Sequence, residues 1–192
     1  GKDNGIMDEP PVRYYAMGDV NDPKAPGNEW RTALSWPAQS KPVSYFLNSG
    51  GILSEKLPTQ EESSAAYKYD PKNPVPTIGG ANLSIKKGPM DQRATGERKD
   101  ILKYVTPVLS APVEITGRII VELWAESDCP DTDWMAKLVD VYPDGTERLV
   151  LYSAFRARFR EGFVCFVFMK KGEFYKFTLD LWSTSLIFNK GH

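Results

Sequence analysis

One residue could relay protons near neutral pH: His192, the only histidine among the 192 residues. A serine or cysteine relay needs an imidazole oriented by a neighbour within hydrogen-bond reach. A ring at the last position is expected to be frayed, so no such relay is expected. The sequence contains no G-x-S-x-G elbow and no phosphate-binding glycine loop of the P-loop pattern. A zinc site needs several clustered His or Cys ligands, and Cys129, Cys165 and His192, the only such residues, stand far apart in the sequence. No catalytic residue, metal or cofactor is assigned.

Three other groupings carry chemistry of a weaker kind. Asp128, Asp131 and Asp133 could hold calcium through their carboxylates. They lack the glycine and distal glutamate of a calcium loop, and turn-forming aspartates are the favoured reading. Arg156, Arg158 and Arg160 alternate with Phe155, Ala157 and Phe159. This arginine face could take phosphate or carboxylate ligands, but pairing with acids on the next strand is favoured. Trp30, Trp36, Trp124, Trp134 and Trp182 could stack on sugars, although core or interface positions suit tryptophan better. Cys165 lies in the apolar run from Phe163 to Met169 and reads as a buried small hydrophobe. The two cysteines read as free thiols.

The elements that would position these groups are strands. From residue 42 onward the period is two. Val43, Tyr45 and Leu47 alternate with other residues, and Ala65 to Tyr69 reads as a strand between long proline-rich loops. Ile119, Val121, Leu123 and Ala125 share a face. Trp134 to Tyr142, then Pro143-Asp144-Gly145, then Arg148 to Ser153 reads as a hairpin. Phe155 to Arg160 alternates again, and in Phe174 to Leu181 the residues Tyr175, Phe177, Leu179 and Leu181 face one way. Ile119, Val121, Leu123, Leu138, Phe177 and Leu179 are the core candidates. Many short strands with Gly/Pro turns and no long amphipathic helix imply an all-β antiparallel sandwich. Before residue 42, Val12 to Met17 is the one clear strand, and the stretch around Trp30 and Trp36 reads as a linker. A net charge of −1 provides no global field for nucleic acid. No apolar run approaches the ~20 residues of a membrane span. Neither nucleic acid nor membrane is an expected partner, and the cellular location is not legible.

Several longer motifs occur in order. Tyr69 to Gly80 reads Y-D-P-K-N-P-V-P-T-I-G-G, and Gly88 to Arg93 reads G-P-M-D-Q-R. Pro112 to Gly117 reads P-V-E-I-T-G, and Asp131 to Val141 reads D-T-D-W-M-A-K-L-V-D-V. Thr184-Ser185 and Phe188 to His192 close the series. Together they resemble the C-terminal non-catalytic domain of the X-Pro dipeptidyl-peptidase and cocaine esterase family of serine hydrolases. The resemblance implies a jelly-roll β-sandwich similar to galactose-binding folds, truncated at its C-terminal strands. It implies that residues 1–41 are the tail strand and linker of an upstream α/β-hydrolase domain, and that residues 42–192 are the jelly roll. The family's serine, aspartate and histidine lie upstream, so none is carried over. The implied role is accessory: stabilising an enzyme that cleaves esters, amides or X-Pro peptides through an acyl-enzyme. In such relatives a loop matching Ala81 to Ile85 walls the acyl pocket, which points to Leu83 and Ser84. The alternative is a carbohydrate-binding module without hydrolase activity. The implied partners are the hydrolase domain and, through strand edges left bare, a second copy of the chain.

Overall fold

A computed structural model describes residues 4–58 and 64–192. Its strands are β1 (Val12–Ala16), β2 (Glu29–Ala33), β3 (Phe46–Asn48), β4 (Ile52–Ser54), β5 (Val113–Ala125), β6 (Asp133–Val141), β7 (Glu147–Arg156) and β8 (Tyr175–Phe188). The helical segments among the described residues are short 3-10 turns. Every strand pair is antiparallel: β1 with β2, β3 with β4, β5 with β8 and β6 with β7.

The core lies between the β5–β8 and β6–β7 pairs. The period-two pattern of β8 turns Phe177, Leu179 and Leu181 to one side, where each is only 1% exposed. Trp134, Ala157 and Met169 join them, and Ile119, Val121, Leu123, Leu138 and Tyr175 pack around the cluster. The six expected core residues therefore all lie in or against it. Phe177 sits 5.6 Å from the Trp134 ring and 6.2 Å from Phe155, both tilted. Such offset aromatic contacts add to burial.

The Pro143-Asp144-Gly145 turn forms as its residue types require. Gly145 adopts φ +80°, and its N–H donates to the Tyr142 carbonyl at 2.8 Å. β8 carries a bulge opposite the register shift between Arg118 and Ile120. Trp182 takes a positive φ there, and its N–H donates to Asp180 Oδ1 at 2.9 Å.

Four expectations are corrected. β2 is a strand, not linker: it pairs with β1, and Trp30 packs edge-on against Tyr15 at 5.4 Å. Residues 64–70 have no strand conformation, so Ala65 to Tyr69 is not one; residues 59–63 of the same proline-rich stretch lie outside the described residues. The alternation from Phe155 to Arg160 stops at Arg156, where a 3-10 turn (Ala157–Phe159) begins. The Ala157 N–H is captured by the Thr132 carbonyl and the Arg158 N–H by Asp131 Oδ1. Cys165 is exposed, as is Cys129, and both are free thiols.

The segment that follows β1 is tied to the sandwich. Met17 and β8 exchange backbone bonds, Met17 N to Ser185 O at 3.0 Å and Ile187 N to Met17 O at 2.9 Å.

Candidate functional site

The segment just after β1 meets the end of β6 and the residues after β8, and the meeting point buries three ionisable side chains. His192 is the correction: its side chain is 3% exposed, not frayed. Its Nδ1 lies 2.8 Å from Asp140 Oδ1 and its Nε2 lies 3.5 Å from Asp19 Oδ2. The two carboxylates are 6% and 7% exposed. Local structure explains the placement. Asp140 alternates inward on β6. Asp19 is turned in by its own Asx turn, accepting from the Asn21 N–H at 2.8 Å. The His192 carbonyl accepts from the Leu109 N–H at 2.8 Å, which fixes the residue. The Tyr142 ring packs on the imidazole with centroids 4.2 Å apart, and the Arg148 guanidinium lies over the Tyr142 ring at 4.7 Å.

Burial pushes the Asp140 carboxyl above its ordinary value, with Asp19 adding to the push; the histidine hydrogen bond and Arg148 oppose it. Nδ1 bonds Asp140, Nε2 lies beside Asp19, and no hydroxyl hydrogen-bonds the ring among the described residues. The arrangement joins elements and does not form an acyl-transfer relay. Sequence reasoning passed over it because the two partners of His192 lie 52 and 173 positions away. The available signal was Asp140 on a strand face otherwise made of Trp134, Ala136 and Leu138.

The other candidate is the loop from Gly79 to Gly88. Gly80 and Gly88 exchange backbone bonds at 2.8 and 3.0 Å, which closes its base. Asn82 staples the interior: its amide donates to the Gly79 carbonyl at 2.8 Å, and its Oδ1 accepts from the Ile85 N–H at 3.0 Å. The Tyr152 hydroxyl donates to the Ala81 carbonyl at 3.3 Å. Gly80 takes φ +86°, and a Cβ there would collide with the Tyr152 ring. The loop so fixed holds Leu83 98% exposed, with Ser84 exposed beside it.

The remaining groups resolve into structural pairs. Arg156 and Asp133 face each other across β6 and β7 and share two hydrogen bonds at 2.7 and 2.9 Å. Arg158 lies 3.6 Å from Asp131. Trp134 is in the core, whereas Trp30, Trp36, Trp124 and Trp182 are exposed. Among the described residues no group of His, Cys, Asp or Glu is arranged to hold a metal ion, and no helix is long and apolar enough to cross a membrane.

These features define an all-β domain whose buried histidine joins segments distant in the sequence. Residues 4–192 match the model of the X-Pro dipeptidyl-peptidase C-terminal non-catalytic domain, and the chain belongs to that family. It is 36% identical to cocaine esterase of Rhodococcus sp. (strain MB1 Bresler) over 204 residues, which takes in all of this chain and 34% of that protein. A putative serine esterase of Mycobacterium bovis is 27% identical, again over the whole chain and 32% of the relative. Among solved structures, an α-amino acid ester hydrolase superposes with a TM-score of 0.82 at 30% identity, covering 96% of this chain and 32% of that one. An aminopeptidase from a Thaumarchaeota archaeon of marine sediment gives 0.77 at 26% identity, covering 86% of this chain and 30% of that one. The chain thus spans about a third of the length of the relatives it matches.

Proposed function

We propose that the chain is the C-terminal accessory domain of a serine hydrolase that cleaves esters, amides or X-Pro peptides through an acyl-enzyme. In this reading residues 1–41 lead in from an upstream α/β-hydrolase domain, residues 42–192 form the jelly roll, and the domain stabilises the enzyme. Leu83 and Ser84 wall its acyl pocket. The observation that carries the pocket role is the stapled loop. Gly80, Asn82 and Tyr152 fix its backbone, yet Leu83 at its tip is 98% exposed. A rigid loop with an apolar tip fits a surface waiting for a partner. The chain is also proposed to self-associate, since β5 and β6 each carry one edge without a strand neighbour among the described residues, whereas the outer edge of β7 is bonded by residues 90–92.

The test is Leu83→Trp in the full-length hydrolase, assayed on a panel of esters that differ in acyl size. The expected outcome is a several-fold change in relative kcat/KM between small and bulky acyl groups, with thermal stability unchanged. Unchanged ratios across the panel would remove Leu83 from the pocket. The carbohydrate-binding alternative predicts saturable sugar binding by the chain, which calorimetric titration would detect.

A further inference from the structure

The loop that carries Leu83 and Ser84 has two arms, and they are held differently. The trailing arm is bonded to β7: the Leu149 N–H donates to the Met90 carbonyl at 3.2 Å, and the Gln92 N–H donates to the Glu147 carbonyl at 2.8 Å. The leading arm has no such support, because among the described residues the backbone of residues 78–82 makes no backbone bond to a strand. Gln92 joins the two arms. Its side-chain amide donates to the Ile78 carbonyl and to the Met90 carbonyl, each at 2.9 Å, and the residue is 3% exposed.

Lys137 decides which way that amide points. Its Nζ donates to Gln92 Oε1 at 2.9 Å. An ammonium can only donate, so it holds the amide oxygen toward itself and turns the NH2 toward the two carbonyls. With the amide reversed, Oε1 would face two carbonyl oxygens and neither arm would have its donor. Lys137 stands opposite Tyr152 in the register of β6 and β7, and the Tyr152 hydroxyl bonds the Ala81 carbonyl. One cross-strand pair thus reaches the leading arm twice, directly through Tyr152 and by way of Gln92 from Lys137.

The setting of the lysine is not one that stability alone would select. Lys137 is the one lysine among the described residues that is not exposed. Lys103, Lys170 and Lys176 each pair with a glutamate, whereas Lys137 has the neutral Gln92 amide. Burial holds its amine below the ordinary lysine value, so the charge costs the folded chain stability at neutral pH. An apolar side chain at this position would avoid that cost but could not orient Gln92.

We propose that Lys137 and Gln92 are positioning residues for the acyl pocket: they fix the leading arm of the loop, and so the place of Leu83, and thereby set which acyl groups the enzyme accepts. The inference rests on the reading that Leu83 and Ser84 wall that pocket.

The test compares the full-length hydrolase as wild type, Lys137→Met, Lys137→Arg and Leu83→Trp. Methionine keeps the apolar stem and removes the donor, whereas arginine keeps a donor. Hydrogen exchange read by mass spectrometry reports on the loop, relative kcat/KM on the panel of esters reports on the pocket, and thermal melting reports on folding. In Lys137→Met, exchange across residues 78–88 should be faster by about tenfold with β8 unchanged. Preference between small and bulky acyl groups should change several-fold, through KM more than kcat. Lys137→Arg should return both toward wild type. Loop exchange that is unchanged in Lys137→Met, or faster exchange that spreads to β8 with a lower Tm, overturns the positioning role. If Leu83→Trp alters acyl preference and Lys137→Met does not, the pocket reading survives and this inference fails. If neither variant alters preference, the pocket reading itself fails and takes this inference with it.

Discussion

Replacing His192 by glutamine should destabilise the chain most at neutral pH and least in acid. Glutamine keeps a hydrogen-bonding head but carries no charge in any protonation state. The ring it replaces lies 2.8 Å from Asp140 and 3.5 Å from Asp19, and both carboxylates are nearly sealed from water. Losing a partner leaves a buried acceptor unsatisfied, which costs about 1–3 kcal/mol and more where the group is charged, as a carboxylate is. Arg148, held over Tyr142, remains to offset part of this, so about 3 kcal/mol is expected at pH 7. For a chain of this length that is a fall in Tm of roughly 6–12 °C.

The pH dependence follows from Asp140, whose carboxyl burial raises above its ordinary value of 3.8. A carboxyl raised on folding contributes stability that is fully present below its unfolded value and lost as pH rises through its folded value. The histidine opposes that loss in the native chain and glutamine cannot. The gap between the two proteins should therefore be small near pH 4 and widen as pH rises through the titration of Asp140. Urea unfolding followed by tryptophan fluorescence at several pH values measures it. Replacing Asp140 by asparagine in the His192→Gln background should restore part of the stability. A loss below about 1 kcal/mol, or one independent of pH, would refute the buried-charge account.

Two further predictions concern the frame around the sites. Phe177→Ala removes a ring that is 1% exposed and in contact with Trp134 and Phe155, so it should cost about 3–5 kcal/mol in the denaturant midpoint analysis. Gly80→Ala forces a side chain into the Tyr152 ring at a backbone φ of +86°. It should speed amide exchange across residues 79–88 while leaving β6 and β8 protected, as seen by hydrogen exchange.

The large features of the fold were legible where local pattern and tertiary burial agree. In β8 the alternation of Tyr175, Phe177, Leu179 and Leu181 names the core face, and Pro143-Asp144-Gly145 names the turn between β6 and β7. Reading failed where a distant partner decides. β2 is rich in polar residues, and it becomes a strand because β1 offers its edge. Ala65 to Tyr69 has strand-forming types but finds no ladder to join. Phe155 to Arg160 keeps its alternation while the backbone turns, because Thr132 and Asp131 take its N–H groups. The apolar run around Cys165 looked like core, yet the bonds that fix it belong to Arg158, Arg160 and Pro130 and leave most of its side chains outside. His192 was misjudged for the same reason, since nothing near it in sequence reveals Asp19 or Asp140. The family motifs identified the domain but said nothing of this burial.

The central claim is that this chain carries no hydrolytic machinery of its own. It is tested most directly by incubating the purified chain with an activated ester and, separately, with a serine-directed acylating inhibitor, then measuring product release and intact mass. The account predicts no turnover above the uncatalysed rate and no covalent adduct, because the chain belongs to a non-catalytic domain family and its one histidine is buried between Asp140 and Asp19. Steady turnover that the inhibitor abolishes, with a stoichiometric mass increase on one serine, would contradict it.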